Sequence, residues 1–144
     1  MRFVRLPLAV ALLAVLSLQG VPAQSEDTAD PIDKALRACL AADRGQSTAG
    51  MVECLGIAYE AWDRELNRTY DQLMRSLDQA SRDKLRAAQR QWLVFRDADM
   101  AFQRQEFVAG NGKYGTLAGV TLASDNVETI RRRVMTLRAY LGPD

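Results

Sequence analysis

The sequence predicts an all-α protein, an antiparallel bundle of about four helices around a long central helix hairpin. Three observations carry that expectation. A 29-residue stretch from Ala49 to Leu77 contains no proline. Its apolar side chains Leu55, Tyr59, Trp62, Leu66, Thr69, Leu73 and Leu77 recur at steps of three and four. No segment of comparable length alternates with the period of two that a strand requires.

The bulk numbers fit one domain. The chain has 144 residues, 48% of them hydrophobic and 26% charged, enough for one core and a soluble surface. The first 23 residues are set apart: Arg2 and Arg5 precede an apolar run over 6–18, and Val21-Pro22-Ala23 offers small or short residues to a peptidase. This is the pattern of a secretory signal, too short for a membrane span, with cleavage expected after Ala23. Residues 24–144 then form the single helical domain, periplasmic or secreted. Without Arg2 and Arg5, seventeen basic residues face eighteen acidic ones. That near-neutral balance argues against nucleic acid or an anionic membrane surface as partner.

The chain has no histidine, which removes the commonest metal ligand and general base. Cys39 and Cys54, an even pair in an exported chain, are expected to form a disulfide. With the thiols paired and no histidine, nucleophilic catalysis lacks its base. Asp97-Ala98-Asp99 lacks the glycine of an EF-hand loop, and the scattered acids form no pair across a cleft of the kind glycosidases use. The expectation is a non-enzyme without cofactor or metal.

The elements follow in order. Asp30-Pro31 opens the first helix with an acid at the cap and proline behind it; Ile32, Leu36, Cys39 and Leu40 form its apolar face, and Arg44-Gly45 ends it. Gln46-Ser47-Thr48 supplies hydroxyls that can cap the long second helix, in which Gly50 and Gly56 are weak points. Arg64, Arg68, Asp71 and Arg75 fall on its solvated side, and Asp63, Asn67 and Tyr70 at the edge of its stripe. Ser81 is the expected N-cap of a third helix reaching about Val108, with Leu85, Gln89, Trp92, Arg96, Met100, Gln103 and Phe107 turned inward.

Gln89 and Arg96 on a buried face need partners. In a hairpin turning near residue 80, antiparallel pairing sets Asp63 opposite Arg96, Tyr70 opposite Gln89 and Leu66 opposite Trp92. Two readings of this polar set are open: a network that fixes the hairpin's register, which the pairing favours, or a ligand groove between the helices.

Gly110-Asn111-Gly112-Lys113-Tyr114-Gly115 matches G-x-G-x-x-G, but it follows a helix in a chain without strand patterning, so it does not read as a dinucleotide site. The segment reads instead as an exposed loop and a candidate partner contact through Gly110, Asn111, Gly112, Lys113 and Tyr114. The last helix spans at least Asp125 to Leu141, a start near Thr116 being the alternative, with an Asp125/Glu128 capping box and Val127, Ile130, Val134, Leu137 and Leu141 inward. Arg131-Arg132-Arg133 point about 100° apart on a helix and make no single patch; one of them is expected to reach inward.

Two cysteines about fifteen apart, then Trp62-Asp63…Leu66-Asn67…Tyr70, then Ala88-Gln89…Trp92…Phe95-Arg96-Asp97, resemble the lysozyme-inhibitor LprI-like N-terminal family of small exported bacterial helical domains. The resemblance covers roughly Ala35 to Leu137. Met100 and Leu122 stand where family members often carry a second cysteine pair, a departure from the pattern. The resemblance implies inhibition of lysozyme or a related peptidoglycan-cleaving enzyme, with the enzyme as protein partner. The other expectation is a non-catalytic envelope interaction or assembly module. The oligomeric state stays open.

Overall fold

The computed structural model describes residues 29–109 and 114–142. The expected signal segment lies outside them, as do Gly110, Asn111, Gly112 and Lys113 of the glycine loop. All regular structure among the described residues is helical: α1 (Pro31–Ala41), α2 (Thr48–Ser76), α3 (Gln79–Arg104) and α4 (Ala118–Ala139), with a 3-10 turn between α1 and α2, the two residues Leu77 and Asp78 between α2 and α3, and π and 3-10 turns between α3 and α4.

The Asp30 carboxylate accepts from the Ile32 amide at 2.9 Å, and Pro31 occupies the first turn, where its missing N–H costs nothing. The helix ends at Ala41, before the expected Arg44-Gly45, and a 3-10 turn over Asp43–Gln46 follows. This return is very tight. A Cβ on Gly45 would lie 2.2 Å from the Leu40 carbonyl oxygen, and one on Gly50 1.7 Å from that of Arg44. Gly50 is thus a requirement of the turn rather than a weak point of α2. The Ser47 hydroxyl caps α2 by accepting from the Gly50 amide. The turn lays α1 back along α2, and Cys39 and Cys54 form a disulfide with their Cα atoms 5.8 Å apart.

The apolar stripe of α2 is the floor of the core: Leu55, Ala58, Trp62, Leu66, Thr69 and Leu73 are buried. Val127, Ile130, Val134 and Leu137 of α4 close over them. Each such aliphatic side chain contributes about 1.5–3 kcal/mol by leaving water. The densest packing is therefore between α2 and α4, with α1 across one end. The inward row of α3 is the expected one, but none of its residues is fully buried. This helix flanks the core and leaves space between itself and α2.

Two expected helix caps are not formed, although α4 starts close to Thr116, the earlier of the two expected positions. Asp78, not Ser81, caps α3: its carboxylate accepts from the Ser81 amide at 2.8 Å, which makes Ser81 the donor of the motif. Helix α4 begins at Ala118 after a 3-10 turn whose Gly115 takes φ +57°, so Asp125 and Glu128 lie inside the helix and form no capping box. Glu128 accepts from Arg132 at 2.7 Å instead. Met100 and Leu122 are both half-buried.

Candidate functional site

The two tryptophans of the motifs organise the polar architecture, each ring being approached by two arginines. Trp62 of α2 is fully buried, and its ring lies 5.9 Å from the Arg131 guanidinium carbon and 5.7 Å from that of Arg138. Trp92 of α3 lies 5.4 Å from Arg96 and 5.6 Å from Arg133. These distances fall within the range where a cation is attracted to the face of an indole. Trp62 contributes its ring rather than its N–H: Nε1 is buried and has no hydrogen-bond partner.

The same arginines reach the other helices. Arg131 donates to Asp33 of α1 at 3.0 Å. Arg138 donates to Asp30 at 2.7 Å and also to Glu65 of α2. Arg133 donates from Nε to the Gln89 amide oxygen of α3 at 2.9 Å. Of the Arg131–Arg133 run, two residues therefore reach neighbouring helices where one was expected, and only Arg132 stays with its own helix. The hydrogen bonds of Arg68, together with those of Arg138, lower the Glu65 carboxyl from 4.5 to about 2. Burial pushes the Arg133 guanidinium down from its ordinary value.

The predicted polar set is brought to one side of the hairpin but held loosely. Arg96 approaches Asp63 at 4.0 Å while its short bond, 2.7 Å, goes to neighbouring Asp97. Asn67 donates to its own helix, to the Asp63 carbonyl oxygen at 3.0 Å. Gln89 is held by Arg133 rather than by Tyr70. Between α2 and α3 a groove of about 240 Å³ remains, lined by Asp63, Leu66, Asn67, Tyr70, Gln89, Arg90 and Leu93 among others. Trp92 and Arg96 are not part of its lining, and the Trp92 ring meets Arg133 of α4 instead. Tyr114, at the described end of the glycine loop, meets Phe107 edge to face at 4.5 Å between ring centroids. Glu65 and Arg138 escaped the sequence reading, as did the second role of the capping residue Asp30 as a partner of Arg138. The available signal was Arg131 and Arg138 seven apart on α4, both beside its apolar stripe.

Among the described residues no group of three or more acids or cysteines is placed to hold a metal ion, and no helix is long and apolar enough to cross a membrane. A disulfide-closed helical bundle braced by arginine–tryptophan contacts is the class of protein these features define. Residues 39–137 match the family described as lysozyme inhibitor LprI, and the chain belongs to that family. A crystal structure of an uncharacterized protein from Burkholderia thailandensis is similar, with a TM-score of 0.70 and 31% sequence identity over 77% of this chain. The match spans about half (53%) of that protein's length. No curated protein matches the chain in sequence. The family is one of inhibitors rather than catalysts, and family and disulfide together fit an exported protein.

Proposed function

We propose that this protein is exported through its N-terminal signal, with cleavage after Ala23, and blocks lysozyme or a related peptidoglycan-cleaving enzyme. The observation that carries the reading is the family match over residues 39–137. The disulfide-closed bundle supports it, because an inhibitor acting outside the cytoplasm needs a rigid scaffold that survives there. The contact we propose is the glycine loop ahead of α4, at whose described end Tyr114 meets the Phe107 ring. The net charge, close to zero without the signal, leaves shape rather than long-range attraction to bring the partners together.

The test is lysis of purified peptidoglycan by lysozyme in the presence of the signal-free protein. Protection that rises with dose supports inhibition, and Tyr114→Ala is expected to weaken it. No protection at micromolar concentrations sinks the inhibitor reading. Recovery of a stable envelope protein partner would then select the interaction-module reading. N-terminal sequencing of the exported protein checks the cleavage position.

A further inference from the structure

The core accounts for one side of α3 only. On the opposite side Ala87, Gln91, Val94, Ala98, Ala101 and Gln105 follow one another at steps of four and three, and all are exposed. Phe95 and Phe102 flank this row seven residues apart, each 63% exposed, and Val94 is 67% exposed. No charge interrupts the strip over about five helical turns. The outward side of α2 is the contrast, with Glu60, Arg64, Arg68, Asp71 and Arg75 all exposed. A helix side that meets only water is ordinarily charged, whereas uncharged residues at this alternating spacing form the seam between two paired helices.

The charges sit at the margin and fit a second copy of the same strip. Asp97 and Arg104, also seven apart, run along the edge opposite the phenylalanines. When two α3 helices lie antiparallel with Ala98 of one over Ala101 of the other, Phe95 falls opposite Phe102, Val94 opposite Gln105 and Asp97 opposite Arg104. The two-fold axis makes every one of these pairs occur twice. A parallel arrangement sets Asp97 against Phe102 and leaves the charges unmatched. Arg96 uses only Oδ1 of Asp97, so Oδ2 is available, and the Arg104 side chain makes no hydrogen bond or ion pair among the described residues.

We infer that α3 is a self-association surface through which two copies of this chain pair antiparallel, with Val94, Phe95, Ala98, Ala101 and Phe102 at the seam and Asp97–Arg104 ion pairs at its edge. One helix from each copy makes a small interface, of the size that weak and reversible association uses. The inference is independent of the inhibitor reading.

Sedimentation equilibrium of the purified protein across micromolar concentrations tests it. A monomer–dimer equilibrium is expected. Ala98→Glu, which brings like charges together at the axis, is expected to weaken it by about a hundredfold, with an unchanged thermal melt because the side chain is exposed. Phe102→Ser, at a second exposed position, should do the same. Asp97→Arg is expected to dissociate the dimer, and adding Arg104→Asp to restore it. A protein that stays monomeric overturns the inference, as does a monomer that captures a different protein on this strip. A dimer indifferent to Ala98→Glu and Phe102→Ser, or a charge exchange that restores nothing, overturns it equally.

Discussion

Arg138, in the last turn of α4, donates to Glu65 in the middle of α2 and, with its other terminal nitrogen, to Asp30 at the start of α1. One side chain thereby ties three helices beside the buried face of Trp62. The carboxylates it meets are the well-buried partners, with Asp30 and Glu65 side chains only 8% and 12% exposed.

The two arginine sites should differ in weight. Replacing Arg138 with Met leaves two largely buried carboxylates without this cation, and about 3 kcal/mol of unfolding free energy is expected to be lost. Arg96→Ala leaves Asp63, which is 44% exposed and 4.0 Å away, to be hydrated; with the loss of the Trp92 stack the cost is about 1 kcal/mol. Urea titration of both variants measures the ranking. An equal or reversed cost would show that the Asp63–Arg96 side holds the bundle together.

Glu65 makes stability depend on acid. Its carboxyl is lowered from 4.5 to about 2 in the folded protein, so the folded state binds its proton more weakly than the unfolded chain. The resulting stabilisation is complete above about pH 4.5 and is lost as pH falls through about 2. Allowing for the solvent around Arg68, it amounts to about 2 kcal/mol. Thermal melts between neutral pH and pH 2 should show this loss, and Glu65→Gln should start less stable and fall less steeply. Parallel acid limbs for the two proteins would remove Glu65 as the cause.

Two glycines in one helix should answer the same substitution in opposite directions. Gly56 has no atom within 4 Å of where a Cβ would stand, so Gly56→Ala is expected to stabilise α2 by about 0.5–1 kcal/mol. At Gly50 the new methyl would meet the Arg44 carbonyl oxygen at 1.7 Å. Gly50→Ala therefore displaces the α1–α2 return and lowers the melting temperature despite alanine's better helix propensity. A rise in melting temperature for both variants would mean that the turn relaxes freely.

The Cys39–Cys54 bridge closes the same return over a sequence separation of 15. Replacing both cysteines with serine is expected to cost about 3 kcal/mol by the loss of the constraint on the unfolded chain. Denaturant midpoints with and without the bridge measure it. An unchanged midpoint would mean that Gly45 and Gly50 close the turn unaided.

How far the fold could be read from the residues follows the range of the interactions involved. The α2 stripe, the Asp30-Pro31 start and the cysteine pairing were legible because helical period and cap chemistry act within a few residues, and because the exported context restricts the thiols. The hairpin pairing put Asp63 and Arg96 on one side for the same reason, since register follows from the position of the turn. How closely α3 approaches α2 does not follow from register. Helix α4 fills the space over α2, α3 stands off on the flank, and the expected polar pairs open into a groove. The partners of Arg131, Arg133 and Arg138 were equally out of reach, because they depend on the rotation of α4 against three other helices. The sequence determined which residues turn inward along each helix. Only the tertiary packing decided which arginine meets which acid or ring, because that choice is made by side chains brought together from distant parts of the chain.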